Sequence, residues 1–397
     1  MIGEANRMIT ATATTSAASA AATDSPVADA RPASERMAKQ PKQTYELIDC
    51  DVHTAIDDYT QLHPFLPEAW KRHVKKNGFG GPVSGFMRGQ GGLYRTDVTP
   101  PDGGEPGSDP DWLRTQLMER YNVKHPILNG GNILGLGTLP DWDFATAIAR
   151  AYNDWTIEFW LTKHNADGRF KSSMFVAPQD PEEAAKEIDR IGSHPHIVQV
   201  LFTTATESPL GHKRYWPIYA AAERNGLPVA AHPGAEGRAI SGPPTAAGWV
   251  SKYIEWHTCL SQRAQAHLVS LVCQGVFVRF PTLKFVFVEC GIGWLPHVMW
   301  RLDKNYKALR NEVPWLTSLP SDYIKEHVRV TSQPVEEPPS DEQFLWLLEQ
   351  MDAKRTLMLS TDYPHWDFDD PIAAFARVPD DYKRRIFHDT AAELYGL

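Results

Sequence analysis

The chain has 397 residues, of which 42% are hydrophobic and 22% are charged, so it is long enough to bury one large core or two ordinary ones. Its formal charge of −9 argues against a nucleic-acid-binding protein, because such proteins need a basic surface to displace the counterions of a polyanion. The sequence has no run of about 20 apolar residues, which argues against a membrane span, and its cysteines form no CxxC pair. We therefore expect a globular cytoplasmic protein with reduced thiols and with neither a nucleic-acid nor a membrane partner.

The first 43 residues differ in composition from the rest of the chain. They contain no Phe, Trp or Tyr and are rich in Ala, Ser and Thr. Such a segment cannot bury enough apolar area to offset the conformational entropy that it would lose on folding. We predict that residues 1–43 form a disordered tail and that residues 44–397 form the folded domain.

From residue 46 onward, short apolar runs alternate with helix-like stretches, which is typical of repeated βα units and a parallel sheet. Eight runs are predicted to be strands: Glu46–Cys50, His125–Asn129, Ser172–Ala177, Val198–Thr203, Pro228–Ala231, Lys284–Glu289, Val328–Thr331 and Thr356–Ser360. The predicted helices between them include Asp143–Lys163, Pro181–Ile191, Arg214–Asn225, Trp249–Cys273, Trp294–Leu309 and Asp341–Met351. Eight strands with helical crossovers indicate an α/β fold, a (β/α)₈ TIM barrel.

A long connection follows the first predicted strand. It covers about residues 57–121 and contains the Gly/Pro-rich segments GFGGPVSGFMRGQGG and TPPDGGEPGSDP. We interpret it as an insertion that serves as a lid or an oligomer contact. The alternative fold is a doubly wound sheet that binds a dinucleotide, but NGGNILGLG at 129–137 does not match the GxGxxG pattern of such a site.

Polar residues lie at the ends of several predicted strands. Asp51 and His53 follow the first strand, two positions apart, so an extended backbone points both side chains to one side. His232 ends the fifth run before a Pro-Gly turn, and Asp362 follows the eighth. Each motif alone also fits a solvated turn or a histidine bonded to backbone. Because the carboxyl ends of barrel strands meet at one face, the motifs together predict a divalent-metal site of two histidines and two carboxylates.

In these motifs the sequence resembles the amidohydrolase-related group of the amidohydrolase superfamily, which includes aminocarboxymuconate-semialdehyde decarboxylase and resorcylate-type decarboxylases. The resemblance runs from about residue 46 to Leu397. It is carried by DCDVHT at 49–54, AAHPG at 230–234, GVFVRFPTLKFVFVECGIGWLPHVMWRLD at 275–303 and LSTDYPHWD at 359–367. It implies one divalent metal, zinc or manganese, bound by Asp51, His53, His232 and Asp362, where the metal acts as a Lewis acid or activates a water molecule.

The sequence departs from these decarboxylases at the end of strand six. They carry an acid/base histidine there, and this chain has Glu289. A carboxylate at a strand end is an acid/base group, a metal ligand or the partner of a cation. A second metal could be bound by Glu289 and His257, with help from His365, although His257 fits equally a hydrogen-bonding role beside the site and His365 a substrate contact or a capping residue. Trp366 is close enough in sequence to Asp362 to line a substrate pocket.

Three functions remain open on the sequence. The first is a mononuclear hydrolase or non-oxidative decarboxylase of a small organic acid or amide, with Glu289 and Asp362 as catalytic groups. The second is a dinuclear Fe or Mn/Fe hydroxylase that uses O₂, as in members of the wider group that have a strand-six carboxylate. The third is a non-catalytic or partner-dependent subunit. The resemblance also implies a homo- or hetero-oligomer of barrels.

Overall fold

The strands of this protein follow one another around a single parallel sheet. The computed structural model describes residues 46–82 and 93–397, so the predicted tail at 1–43 lies outside the described residues. The sheet has eight strands in sequence order. Their bounds are β1 Leu47–Thr54, β2 Val123–Gly130, β3 Lys171–Phe175, β4 Ile197–Thr203, β5 Val229–His232, β6 Phe285–Phe287, β7 Val328–Thr331 and β8 Leu357–Met358.

The sheet closes between β1 and the chain that follows β8. The amide of Cys50 donates to the carbonyl of Leu359 at 2.9 Å, and the amide of His53 donates to the carbonyl of Tyr363 at 2.7 Å. The Thr361 hydroxyl donates to the buried Asp49 carboxylate at 2.6 Å. This closure confirms the predicted (β/α)₈ barrel. The dinucleotide-binding alternative is wrong, since it requires an open sheet.

Helices alternate with the strands along the chain. The α-helices of six or more residues in the described part of the chain are α1 Glu68–Asn77, α2 Trp142–Thr156, α3 Pro181–Ile191, α4 Trp216–Arg224, α5 Tyr253–Thr258, α6 Ser261–Cys273, α7 Trp294–Leu309, α8 Pro320–His327, α9 Asp341–Gln350 and α10 Thr390–Tyr395. Helix α3 begins at Pro181, as predicted. The Asp180 side chain accepts the amide proton of Glu183, and Pro181 occupies the first turn. None of the helices in the described part of the chain is long and apolar enough to cross a membrane.

One predicted helix is wrong in its extent. The single helix expected over Trp249–Cys273 is two helices, α5 and α6, with a break at Cys259 and Leu260. Helix α6 buries Leu268 and Leu271 in the core, whereas α5 carries side chains that line a cavity above the strand ends. A sequence window cannot show this change of direction, because both helices have aromatic or apolar residues at helical spacing.

The connection from β1 to β2 also approaches that cavity. It contains a 3₁₀ helix at Tyr59–Phe65, helix α1 and a short helix at Pro110–Leu113. Its residues 83–92 lie outside the described part of the chain. Tyr59, Pro82 and Glu105 from this segment line the cavity.

Candidate metal centre

Acidic and histidine side chains within β1 and β5 and in the segments that follow β6 and β8 converge at one end of the barrel. Asp51 and His53 lie within β1, which is longer than predicted, and His232 is the last residue of β5. Together with Glu289 they offer one ligand atom each, and these atoms all lie within 4.8 Å of one another. Asp362 belongs to an adjoining group that shares His53 and Glu289. The structure therefore places three of the four predicted ligands, Asp51, His53 and His232, in one group with Glu289, and the fourth, Asp362, beside them against His53.

The distances within this cluster are short. His53 Nε2 lies 2.9 Å from Asp362 Oδ1 and 3.6 Å from Asp51 Oδ1. His232 Nε2 lies 3.3 Å from Asp51 Oδ2 and 3.0 Å from Glu289 Oε2. Nε2 of each histidine thus faces carboxylate oxygens. Imidazole nitrogens and carboxylate oxygens are arranged in this way when they bind a common cation.

Several polar atoms of the cluster are buried without a hydrogen-bond partner. They are Oδ2 of Asp51, Nδ1 and Nε2 of His53, Nε2 of His232 and Oδ2 of Asp362, on side chains that are at most 2% exposed. A buried polar atom that remains unpaired lowers the stability of the folded state by about 1–3 kcal/mol. Two imidazoles and two carboxylates are ligands that both zinc and manganese accept. The donor set therefore fits a divalent metal ion, for which Asp51, His53, His232 and Asp362 are the candidate ligands and Glu289 is close enough to be another.

Asp51 and Asp362 are both buried, but the net shifts of their pKa values have opposite directions. Burial opposes ionisation of Asp51, but His53 and His232 outweigh it and hold the pKa of this carboxyl below its usual range. Burial raises the pKa of Asp362 well above its usual range, and the nearby charges of Glu289 and Asp367 add to the effect. A cation beside Asp362 would favour its ionised form and so oppose this rise in pKa, which makes its environment consistent with a metal ligand.

Two of the acidic residues have a left-handed backbone. Glu289 has φ of 52° and Asp362 has φ of 61°, a region that costs side chains other than glycine about 1–3 kcal/mol. The Glu289 amide donates to Thr331 Oγ1 at 3.0 Å, and the Asp362 amide donates to the Asp51 carbonyl at 3.2 Å. These bonds turn both carboxylates towards the cluster. The apolar runs indicated the positions of the two residues but not this conformation.

A chain of hydrogen bonds inside the barrel orients Asp51. Asn129 Nδ2 donates to Asp51 Oδ1 at 2.8 Å, and the Ser173 hydroxyl donates to Asn129 Oδ1 at 2.6 Å. Gln199 Nε2 donates to Ser173 Oγ at 2.8 Å, and the Tyr395 hydroxyl donates to Gln199 Oε1 at 2.9 Å. None of these four residues was predicted from the sequence to belong to the site. Their positions as polar residues within otherwise apolar segments could have identified them, since a polar side chain inside a barrel needs a hydrogen-bond partner.

A second group of ligand-type residues adjoins the first. His257, Glu289 and Asp367 offer ligand atoms within 4.8 Å of one another. His257 Nε2 lies 3.2 Å from Asp367 Oδ2; burial lowers the pKa of His257, but the hydrogen bond to Asp367 outweighs it and raises the pKa overall. The sequence predicted His257 and Glu289 for this position but missed Asp367, which follows Asp362 by five residues.

His365 does not join the second group as the sequence analysis suggested. Its Nδ1 lies 2.8 Å from Asp362 Oδ1, and its ring lies 4.3 Å from the His53 ring between centroids. The reason is that His365 follows Asp362 closely in the same turn, where its amide donates to the Asp362 carbonyl. This contact places His365 beside the first group.

A cavity of about 470 Å³ lies over the cluster. His232, Glu289 and His365 reach it from the cluster, whereas Asp51, His53 and Asp362 do not line it. Aromatic residues from three segments form much of its wall: Tyr59 and Tyr94 from the β1–β2 connection, Tyr253 and Trp256 from α5, and Trp366 after β8. Trp366 is 49% exposed, which places it at the rim. The volume suits a ligand with one or two rings.

Comparison with known proteins gives a family and a fold. Residues 48–397 match the family described as Amidohydrolase. The gamma-resorcylate decarboxylase of Polaromonas sp. (strain JS666 / ATCC BAA-500) is 26% identical over 240 residues, which cover 55% of this chain and 67% of that protein.

Two solved structures from bacteria share the fold. The 5-carboxyvanillate decarboxylase of Novosphingobium aromaticivorans DSM 12444, complexed with manganese and 4-hydroxy-3-methoxy-5-nitrobenzoic acid, is 21% identical, with a TM-score of 0.67 over 90% of this chain and 98% of that chain. The dihydroxybenzoic acid decarboxylase of Polaromonas sp. JS666, with bound manganese and the inhibitor 2-nitroresorcinol, is 20% identical, with a TM-score of 0.57 over 88% and 97% of the two chains.

Proposed function

This chain belongs to the amidohydrolase family, and from that premise we propose that it is a metal-dependent, non-oxidative decarboxylase of a small aromatic carboxylic acid. The observation that carries the proposal is the cluster of unpaired buried donors directly below an aromatic-walled cavity. The similarity to gamma-resorcylate decarboxylase supports decarboxylation rather than hydrolysis.

The proposed metal ligands are Asp51, His53, His232 and Asp362. A divalent ion held there would supply Lewis-acid chemistry towards the substrate carboxylate. The cluster is buried at the base of the cavity, so the substrate has to enter with its carboxylate first. The ring then lies among Tyr94, Tyr253 and Trp366, whose faces pack well against a planar group.

The reaction needs one proton at the ring carbon. The bond between that carbon and the carboxylate carbon breaks, CO₂ leaves, and a C–H bond takes its place. Glu289 is the proposed proton donor, because it is the carboxylate of the cluster that reaches the cavity. Asp362 does not line the cavity, whereas His365 does. Asp362 Oδ1 lies 2.8 Å from His365 Nδ1, so the catalytic role that we propose for Asp362 is indirect and acts through His365.

The proposal is tested with the manganese-loaded full chain and a panel of hydroxylated benzoates that includes 2,6-dihydroxybenzoate and 5-carboxyvanillate. We expect CO₂ release and a product that lacks one carboxyl group. The matched control is Glu289→Gln loaded with the same metal, which should release CO₂ about 10²–10⁴-fold more slowly. Cleavage of amides or esters by the loaded protein, with no CO₂ from any acid of the panel, would replace the proposal with a hydrolase.

A second candidate is the dinuclear, O₂-dependent hydroxylase, and the second donor group is the observation that favours it. The two donor groups carry four negative charges when their carboxylates are ionised, on Asp51, Glu289, Asp362 and Asp367. Two divalent ions balance these four charges, whereas one divalent ion balances only two of them. A mixed set of imidazoles and carboxylates with open positions suits iron and O₂. O₂ consumption by the iron-loaded protein with an aliphatic acid would favour this candidate over the decarboxylase.

A further inference from the structure

A buried carboxylate lies behind the turn that follows β5. Glu236 is 1% exposed, belongs to neither donor group and does not line the cavity. Glutamates are almost never fully buried unless their carboxylate is paired. Both oxygens of Glu236 accept a hydrogen bond, Oε1 from the Thr204 hydroxyl and Oε2 from the Gly234 amide at 2.9 Å. Glu236 thus joins the segments that follow β4 and β5.

One of these hydrogen bonds is linked to His232 through a single peptide group. The Gly234 amide and the Pro233 carbonyl belong to the same planar peptide group and point to opposite sides of it. The amide donates to Glu236, and the carbonyl accepts a hydrogen bond from Nδ1 of His232. Glu236 therefore holds one edge of the peptide group whose other edge holds the His232 ring.

The hydrogen bond at Nδ1 of His232 determines which ring nitrogen is available to a metal ion. A carbonyl oxygen only accepts hydrogen bonds, so in the neutral ring the proton lies on Nδ1 and Nε2 keeps its lone pair. Nε2 faces Asp51 Oδ2 at 3.3 Å and Glu289 Oε2 at 3.0 Å. In metal sites, a hydrogen-bond acceptor behind a ligating histidine fixes the orientation of the ring and raises its basicity.

Thr204 holds the same turn from the other side. Its amide donates to the His232 carbonyl at 2.9 Å, and its hydroxyl donates to Glu236. Its carbonyl accepts a hydrogen bond from His267 Nε2 at 2.8 Å, which joins Thr204 to helix α6. The Glu236 carboxylate is therefore held in place by a residue that is itself bonded to two other elements.

We propose that Glu236 is a positioning residue for His232. Its carboxylate fixes and polarises the peptide group between Pro233 and Gly234, and the carbonyl of this group holds the ring with Nε2 directed at the metal. A negative charge beside the amide strengthens the carbonyl of the same group as an acceptor. The inference rests on the proposed function only in taking His232 as a metal ligand, and it holds for both candidate reactions.

The test measures the zinc affinity of the full chain by competition with a chelator. In Glu236→Gln the side chain keeps its size and loses its charge, and we expect zinc to bind about tenfold more weakly. Glu236→Ala also loses both hydrogen bonds, and we expect a loss of about 100-fold. The visible spectrum of the cobalt-loaded protein depends on the geometry of the ligands, so it should change in both variants.

The matched control is Glu187→Gln. Glu187 is also buried and accepts hydrogen bonds from Asn153 and Arg190, none of which belongs to the donor groups. This variant should keep the zinc affinity and the cobalt spectrum of the unaltered protein even if its free energy of unfolding falls. A loss of stability alone therefore does not reproduce the expected result. Circular dichroism checks the fold of each variant, and Glu236→Gln decides the test if Glu236→Ala does not fold.

The same zinc affinity and cobalt spectrum in Glu236→Gln and the unaltered protein overturn the inference. His232→Ala shows how far this failure extends: if it binds zinc more weakly, the ligand assignment stands, and if it keeps the affinity, that assignment is overturned as well. Weaker zinc binding by Glu236→Gln, in a protein that releases no CO₂ from any acid, supports the inference and contradicts the decarboxylase proposal.

Discussion

The carboxylate oxygen Oδ2 of Asp367 lies 3.2 Å from Nε2 of His257, and Glu289 offers a third ligand atom to the same group. Metal content therefore separates the two candidate functions. For the decarboxylase we expect one zinc or manganese ion per chain, and His257→Ala or Asp367→Asn should leave that stoichiometry unchanged. Elemental analysis of protein purified with and without air measures it. Two ions per chain that include iron, falling to one in both variants, would favour the hydroxylase.

Removal of a proposed ligand should remove the metal. Asp362→Ala and His232→Ala are each expected to lose bound metal and activity while the barrel stays folded, because each deletes a buried donor of the first cluster. Metal analysis together with circular dichroism checks both outcomes. Asp380→Ala is the control, since this aspartate is 83% exposed and distant in sequence from the cluster motifs. Stoichiometric metal retained in both ligand variants would refute the ligand assignment.

Glu289→Gln should lower turnover by about 10²–10⁴-fold, which is the range for loss of a general acid or base. The amide keeps the shape of the side chain but cannot deliver the proton that the ring carbon needs. In the decarboxylase the metal stoichiometry should stay the same, and in the dinuclear enzyme it should fall from two to one. Glu312→Gln, at an exposed position, serves as the control. Unimpaired CO₂ release by Glu289→Gln would show that another group donates the proton.

Asn129→Ala should weaken metal binding about 10- to 100-fold, in line with other residues that orient metal ligands. Asn129 donates to Asp51 Oδ1 at 2.8 Å, and without this bond the carboxylate loses its fixed orientation. Competition with a chelator measures the apparent dissociation constant. Asn77→Ala, on the exposed end of α1, should bind metal like the unaltered protein. The same affinity in both variants would mean that the barrel positions Asp51 without Asn129.

His267 should make the folded state less stable as the pH falls. Burial lowers the pKa of His267 from 6.5 to about 4. The neutral ring is satisfied on both sides, since Nε2 donates to the Thr204 carbonyl at 2.8 Å and Nδ1 accepts the Leu210 amide proton at 3.2 Å. The unfolded chain takes up a proton below pH 6.5 and the folded chain only below about 4. The stability contributed by this group is therefore complete above pH 6.5 and is lost between pH 6.5 and 4, by about 3 kcal/mol in total.

Urea unfolding at several pH values measures this effect. His267→Gln should show a smaller loss of stability between pH 6.5 and 4 than the unaltered protein, whatever its stability at neutral pH. His297→Gln changes an exposed histidine and should keep the full pH dependence. An identical pH dependence in the unaltered protein and His267→Gln would contradict the assignment of this effect to His267.

Much of the first cluster could be predicted from the sequence. Asp51, His53, His232 and Asp362 each lie within or follow an apolar strand, and a parallel barrel brings such positions to one face. The position of Glu289 was predicted for the same reason. Its left-handed backbone was not, because that depends on the Thr331 hydroxyl, 42 residues away.

The sequence by itself determined the class of fold and which polar residues meet at one end of the barrel, because both follow from local patterns: apolar runs of strand length, helical spacing between them, and polar residues at their ends. Only the tertiary structure decided how the barrel closes, that Asp367 meets His257, and that Asn129 orients Asp51. Thr361 and Asp49, which close the barrel, are 312 residues apart, and His257 lies in α5 whereas Asp367 lies in the loop after β8. Such contacts are fixed by the packing of distant strands, and no spacing within a short stretch of sequence records them.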